Sequence, residues 1–156
     1  LIAQKEYKIS NTINIQDLTS DLVDLSIELL NKYLPDYIEG KIKPYPQDRN
    51  KTPTYSTFLK KSDGIIDLTK PANRLGRGVR AYLGWPGSKL DLELKDGTKL
   101  TITVTQASIS DEKHEDNPLS LQTSKGHFNI EKLKLPGRNE MTTKEFLNGY
   151  RSKLRI

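Results

Sequence analysis

The stretch LDLELKDGTKLTITV, residues 90–104, decides what most of this chain folds into. Leucine occupies alternate positions in its first half, and Leu100, Ile102 and Val104 alternate with threonine in its second half. Between the two halves lie Asp96 and Gly97, a pair that favours the tight turn of a β-hairpin. Because successive side chains of a strand point to opposite faces, this pattern predicts a hairpin with one buried face.

A second pair of strands is predicted at residues 119–123 and 127–135, joined by a turn at residues 125–126. The longer strand carries large apolar side chains at Phe128, Ile130, Leu133 and Leu135. The first two lie at even positions and the last two at odd ones, so an unbroken strand would turn half of them outward. A β-bulge near residues 131–132 would add one residue and keep all of them on the buried face.

Short helices flank these strands. One is predicted from Pro71 to about Leu83, and another begins at Thr142. Their apolar faces consist of Leu75, Val79 and Tyr82 in the first helix and Phe146, Leu147 and Tyr150 in the second. Short strands with hairpin and bulge signals, flanked by helices, predict a mainly β fold in the form of a small, barrel-like domain.

The beginning of the chain has a different pattern. Residues 1–9 are predicted to form a strand, and a helix is predicted from a cap at Asp17 or Thr19 to Gly40. Apolar residues recur along it at spacings of three or four, at Leu18, Leu22, Leu25, Leu29 and Tyr33. We interpret this stripe as the buried face of a core helix. Residues 41–54 contain three prolines and predict an extended linker at a domain boundary.

Charge is distributed unevenly along the chain. Residues 1–50 carry 6 basic and 8 acidic groups, a net charge of −2, whereas the remaining residues carry 19 basic and 12 acidic groups, a net charge of +7. A polyanion-binding module attached to another domain would show this asymmetry, although solvated surface lysines also produce it. Nucleic acid is therefore a candidate partner of the second part.

The residue inventory excludes several chemistries. Cysteine is absent, which removes disulfides, thiolate metal sites and a cysteine nucleophile. His114 and His127 lack the HxxH or HExxH spacing of a metal site, and no GxGxxG or GxxxxGK phosphate loop occurs. We therefore expect no catalytic, cofactor or metal site in this chain. No apolar run reaches the length that crosses a bilayer, so we also expect no membrane partner.

Two aromatic residues near the basic groups could stack on nucleobases, namely Tyr82 and Trp85. A lone tryptophan in a Trp-Pro-Gly turn beside an apolar helix face more often fills a core, however. We expect Trp85 to be such a core residue.

Three motifs follow one another in the second part of the chain. They are KPYPQDRNKTPTYSTFLKKSDGIIDLTKPA at residues 43–72, VRAYLGWPGS at residues 79–88 and LPGRNEMTTKEFLNGYR at residues 135–151. In this order they resemble the interdomain linker, the IRAF-x-PWPGA segment and the closing PAGKKAM turn of the methionyl-tRNA formyltransferase family. Residues 1–40 resemble the last strand and helix of that family's catalytic domain, so the resemblance covers the chain.

The resemblance implies three parts. Residues 1–42 would be a strand and helix from the end of an α/β formyltransferase domain, residues 43–70 a linker, and residues 71–156 a C-terminal domain with an open, oligonucleotide-binding-fold-like β-barrel. The family's catalytic Asn, His and Asp and its folate loop lie upstream of these motifs. Because the sequence begins at Leu1 and its only methionine is Met141, we expect a fragment that transfers no formyl group alone.

For the parent protein, the resemblance implies transfer of a formyl group from 10-formyltetrahydrofolate to the amino group of methionine on initiator tRNA, in translation initiation. Initiator methionyl-tRNA would be the partner, and the folate would be a cosubstrate that this fragment does not bind. A cytoplasmic, monomeric protein is expected.

Ten basic residues could neutralise phosphates in such a complex: Lys60, Lys61, Arg74, Arg77, Arg80, Lys89, Lys134, Arg138, Lys144 and Arg151. Of these, the resemblance favours Lys61, Arg138 and Lys144, followed by Arg77 and Arg151, as tRNA-binding residues. The sequence departs from the family pattern at Leu68, Gly84, Lys134 and Asn139. Asn139 replaces a lysine and so removes one basic group beside Arg138.

Two alternatives stay open. Formyltransferases that act on the amino sugars of nucleotides carry a similar trailing domain, so the chain could belong to a nucleotide-sugar N-formyltransferase. It could also be a non-catalytic module that binds RNA in general or another protein.

Overall fold

The computed structural model describes residues 1–48, 50 and 52–155 and divides the chain into two compact units, Leu1–Phe58 and Leu59–Ile156. Arg49 and Lys51, in the predicted linker, lie outside the described residues. None of the helices in the described part of the chain is long and apolar enough to cross a membrane.

One long helix, α1 (Ile15–Ile38), dominates the first unit. Its cap is Asn14, whose side-chain oxygen accepts hydrogen bonds from the amides of Gln16 at 2.8 Å and Asp17 at 3.0 Å. The cap predicted at Asp17 or Thr19 is therefore wrong by about one turn. Asn14 satisfies two of the free amides of the first turn, so the helix begins earlier.

The predicted strand at residues 1–9 is also wrong. These residues are not in a strand, although Leu1 exchanges two backbone hydrogen bonds with Tyr45, at 2.7 and 2.9 Å. An extended segment becomes a strand only where a partner pairs with it over several residues. Side-chain contacts attach this segment to α1 instead, among them the ion pair of Lys5 Nζ with Glu28 Oε2 at 2.7 Å.

The apolar stripe of α1 is not a core face within its own unit. No residue of α1 is buried, and all of them are described. Leu18, Leu25 and Leu29 are half-buried, whereas Leu22 and Leu30 are exposed. A stripe of this width needs a second layer to bury it, and the extended segment covers only part of it.

The second unit is built on one antiparallel sheet with helices at its sides. In chain order its elements are a 3₁₀ turn (Lys61–Gly64), α2 (Ala72–Ala81), β1 (Ser88–Glu93), β2 (Lys99–Ser110), β3 (Ser120–Gln122), β4 (His127–Lys134), β5 (Glu140–Thr142) and α3 (Thr143–Tyr150). The strand order is β1-β2-β4-β3, and β5 also pairs with β4. The sheet is curled into a half-barrel, which confirms the predicted mainly β fold with flanking helices.

The predicted hairpin is confirmed as β1 and β2. Leu90 pairs with Ile102 and Leu92 with Leu100. The leucines of β1 are buried and alternate with exposed polar residues, as a sheet with one buried face requires.

The predicted bulge in β4 is confirmed as well. Val104 pairs with Leu133, Gln106 with Lys132 and Ala107 with Ile130, so the register shifts on each side of the Gln106–Lys132 pair. Thr105 and Glu131 are the residues left without a partner in this register. The shift lets Phe128, Ile130 and Leu133 all lie fully buried, at 0% exposure, despite their different parity.

Both helices complete the core from their predicted positions. α2 contributes Ala72, Leu75 and Val79, and α3 contributes Phe146 and Leu147. Strand β5 was not predicted, because it has three residues and only one apolar side chain, Met141.

Phe146 provides a direct test of this core. It is 1% exposed, and its ring stacks on Tyr150 with centroids 4.9 Å apart. Phe146→Ala should lower the free energy of unfolding by about 3–5 kcal/mol, measured by urea denaturation. Asn148→Ala, at an exposed position of the same helix, is the control and should change it by less than about 0.5 kcal/mol. Equal effects would show that α3 is not part of the core.

The start of α3 makes stability depend on pH. The Glu145 carboxylate accepts hydrogen bonds from the Thr142 amide at 2.7 Å and the Thr142 hydroxyl at 2.8 Å. These hydrogen bonds hold the pKa of Glu145 below its ordinary value of 4.5. A pKa lowered in the folded state gives stability that is present above the ordinary pKa and lost as pH falls through the folded value.

Glu145→Gln should therefore lower the thermal midpoint at neutral pH, and the difference from wild type should narrow as the pH is lowered toward about 3 and the wild-type carboxylate takes up its proton. Thermal unfolding of both proteins between these pH values measures the difference. A difference that stays constant with pH would contradict the role of the ionised carboxylate.

Candidate nucleic-acid interface

Basic side chains line one row of the exposed face of the sheet. In the register of the sheet, Lys89 of β1 pairs with Thr103 of β2, and Thr103 pairs with Lys134 of β4. Directly opposed residues share a face, and adjacent strands lie about 4.8 Å apart, so the backbones of the two lysines are roughly 10 Å apart. Both lysines are exposed.

Lys61 lies at the β1 end of this row. Its 3₁₀ turn docks against β1, because the Ile66 amide donates a hydrogen bond to the Lys89 carbonyl at 2.8 Å. Gly64, the last residue of the turn, packs directly against the backbone of Gly87. The segment that follows the Lys61 turn is thus attached to β1 at Lys89.

Arg138 lies at the opposite end, in the turn between β4 and β5. The turn is closed by the Arg138 amide, which donates to the Leu135 carbonyl at 3.0 Å. Lys134 pairs with Glu140 on the far side of the turn, so Arg138 follows Lys134 along the same edge. Lys61, Lys89, Lys134 and Arg138 are called the cation row below.

Two acidic groups beside the cation row form ion pairs with cations outside it. Glu93 pairs with Arg155 at 2.5 Å and Glu140 pairs with Lys132 at 3.8 Å, whereas Asp91 accepts a hydrogen bond from the Thr101 hydroxyl at 2.6 Å and keeps its charge. Within the described residues, no member of the cation row takes part in an ion pair. Their positive charge is therefore available to an anionic partner.

Trp85 is exposed beside the cation row, and the prediction that it fills the core is wrong. It is 56% exposed. The loop that carries it packs through its backbone instead, since the Gly87 carbonyl and the Pro86 ring lie against Gly64. Gly87 and Pro86, rather than Trp85, therefore make the contact with the turn.

The other predicted site residues lie elsewhere. Lys144 and Arg151 are brought together on α3, where they line a groove of about 790 Å³. Glu115, Asp116 and Glu131 line the same groove, and three carboxylates would repel phosphate there. These two cations are therefore weaker candidates than the sequence suggested.

Arg77 is exposed on α2. Its neighbour Arg80 is partly buried, because its guanidinium donates to the Gly76 carbonyl at 3.1 Å. Sequence reasoning included Lys89 and Lys134 among ten basic residues but did not rank them first. Both lysines lie at outward-facing positions of predicted strands, and this pattern could have ranked them higher as candidate binding residues.

The two histidines make different polar contacts. The His114 amide donates to the Ser120 hydroxyl at 3.2 Å, and His127 Nδ1 lies 3.3 Å from the Asp111 carbonyl. In the parts of the chain that the structure describes, no three His, Asp or Glu side chains are placed to hold a metal ion.

A curled half-barrel sheet with short helices, and a row of exposed cations that form no ion pair among the described residues, define a small β domain. The chain belongs to the family described as "Formyl transferase, C-terminal domain", whose sequence profile matches residues 59–151.

Three relatives that match this chain carry the same name. The methionyl-tRNA formyltransferase of Bdellovibrio bacteriovorus is 30% identical over 166 residues, which covers 99% of this chain and 51% of the relative. That of Roseiflexus castenholzii is 28% identical over 161 residues, or 97% of this chain and 50% of the relative. That of Chloroflexus aurantiacus is 39% identical over 88 residues, 56% of this chain and 28% of the relative. The chain spans about half the length of the longer-matching relatives.

Gly64 tests how the Lys61 turn is held. A Cβ atom on Gly64 would lie 2.0 Å from the Gly87 carbonyl oxygen, so Gly64→Ala must displace the turn or the Trp85 loop. We expect a loss of about 1–3 kcal/mol in the free energy of unfolding and a changed emission spectrum of Trp85.

Gly149→Ala is the matched control. A Cβ atom at this position on α3 meets nothing within 4 Å, so the variant should be neutral or more stable by up to about 1 kcal/mol. If Gly64→Ala matches wild type in both stability and emission, the turn does not pack on the loop as described.

Proposed function

We propose that this chain is the C-terminal half of a methionyl-tRNA formyltransferase and that its second unit binds initiator tRNA through the cation row. Two observations support the proposal. The relatives named methionyl-tRNA formyltransferase match nearly the whole chain. All four residues of the cation row are exposed and take part in no ion pair within the described residues, and the register of the sheet puts Lys89 and Lys134 in line with Thr103.

The chemistry of the cation row suits the phosphates of a folded RNA. Lysine and arginine neutralise phosphates without reading the bases, and each neutralised phosphate releases a condensed counterion. With all four cations engaged, affinity should fall roughly 50- to 150-fold between 50 and 200 mM salt. The row would hold and orient the tRNA, while discrimination among tRNAs would come from shape and from other contacts.

The three parts of the chain would have different roles in the parent enzyme. We propose that residues 1–42 end the catalytic domain, that residues 43–70 connect it to residues 71–156, and that the formyl group comes from 10-formyltetrahydrofolate. In this arrangement the second unit supplies binding energy and position, which lowers the entropic cost of presenting the aminoacyl end to the catalyst.

A charge-reversal pair tests the cation row. Lys61→Glu combined with Arg138→Glu should weaken binding of initiator tRNA at least tenfold, about 1.4 kcal/mol, and flatten the salt dependence, measured by filter binding across a salt series.

Lys113→Glu combined with Lys125→Glu is the matched control, since it makes the same change in net charge. Lys125 lies two residues before the start of β4, and the eight residues of this strand, His127–Lys134, span roughly 23 Å. The Lys113→Glu and Lys125→Glu double variant should change the affinity for initiator tRNA less than threefold. Equal losses in both pairs would show that total charge, not the cation row, drives binding.

The choice of RNA separates the proposal from its alternatives. Wild-type protein should prefer initiator tRNA over an unrelated structured RNA of similar length. Equal affinity would favour a general RNA-binding module. Failure to bind tRNA, with binding of a nucleotide sugar by the longer protein, would favour a sugar formyltransferase.

A further inference from the structure

The single tryptophan of this protein is exposed on a surface that is also apolar and basic. Trp85 is 56% exposed, and Ile65, which follows Gly64 against the same loop, is 64% exposed. Lys61 and Lys89 lie in the two segments that meet there, joined by the hydrogen bond from the Ile66 amide to the Lys89 carbonyl. An exposed apolar patch among unpaired cations is a candidate binding site.

The loop that presents Trp85 is held on three sides. The Gly87 amide donates to the Tyr82 carbonyl at 3.0 Å and closes the loop on itself. The Gly87 carbonyl packs on Gly64, and a Cβ atom at Gly87 would lie 3.3 Å from the Thr103 methyl group. The backbone is therefore fixed to both the turn and the sheet, and little conformational freedom would be lost when a ligand covers the ring.

The partner of this patch must satisfy two requirements together. The indole face requires a flat or apolar group, and the unpaired cations beside it require negative charge. An unpaired nucleotide provides both, because its base stacks on an aromatic ring while its phosphate meets a lysine. Bases inside a duplex are already stacked on one another and cannot lie on the ring, so the occupant is single-stranded.

We infer that Trp85 is a stacking platform for an unpaired nucleobase of the bound RNA, with Lys61 and Lys89 contacting the phosphates beside it. The inference rests on the proposed function and extends it from phosphate contacts to a base contact. Trp85 would be an additional binding residue, and it would favour RNA with an unpaired nucleotide.

Intrinsic fluorescence tests the inference directly, because Trp85 is the only tryptophan and any change in indole emission reports this ring. Initiator tRNA and a short single-stranded RNA should quench the emission on titration at low salt. A blunt RNA duplex with the same number of phosphates should leave it unchanged. Quenching that is equal with the duplex, or absent at saturating tRNA, would overturn the inference.

Variants give an independent readout. Trp85→Ala should weaken binding of the single-stranded RNA about tenfold, about 1.4 kcal/mol, and Trp85→Phe should stay within about threefold of wild type. Tyr37→Ala, at an aromatic residue of α1 that is 39% exposed, is the control and should bind as wild type. Wild-type affinity in Trp85→Ala would overturn the stacking role.

The two proposals fail separately. If tRNA does not bind, the proposed function fails, and quenching by the short single-stranded RNA still decides the stacking site. If tRNA binds and Lys61→Glu with Arg138→Glu weakens it, but Trp85→Ala does not, only the stacking inference fails. Emission that changes with protein concentration alone would show that a second copy of the chain covers Trp85, which also overturns the inference.

Discussion

Strand β4 is the element on which the rest of the second unit depends. It pairs with β2 along one edge, while its other edge pairs first with β3 at His127–Asn129 and then with β5 at Lys132–Lys134. The bulge at Glu131 lies between these two pairings and increases the local twist. The strand can therefore pair with both β3 and β5 on one edge while its large apolar residues stay on the buried side.

The candidate interface is a product of the same pairing. β4 places Lys134 in line with Thr103 and Lys89, and its turn to β5 carries Arg138. The ion pairs of the neighbouring acids matter equally, because Glu93 and Glu140 are paired with Arg155 and Lys132, which lie outside the cation row. Net charge alone would not distinguish this face from the α3 groove, where three carboxylates lie beside Lys144 and Arg151.

Patterns among neighbouring residues predicted the elements that interactions between neighbouring residues determine. Period-two alternation identified the β1–β2 hairpin, the parity change identified the bulge near Glu131, and Thr142 was identified as the start of α3. The failures occurred where a distant partner decides the outcome. Residues 1–9 do not form a strand, and β5 is too short to show a pattern. Trp85 is exposed, whereas Gly87 of the same loop packs on Gly64.

The sequence by itself determined strands β1–β4 and the two α-helices of the second unit, the concentration of positive charge there and the order of motifs that points to the formyltransferases. These properties depend on neighbours along the chain, which a sequence displays directly. Only the tertiary structure decided which cations share a face, which acids already form ion pairs and whether the tryptophan is buried. Those outcomes depend on strand register and on contacts between residues far apart in sequence, because charge and exposure are set by neighbours in space.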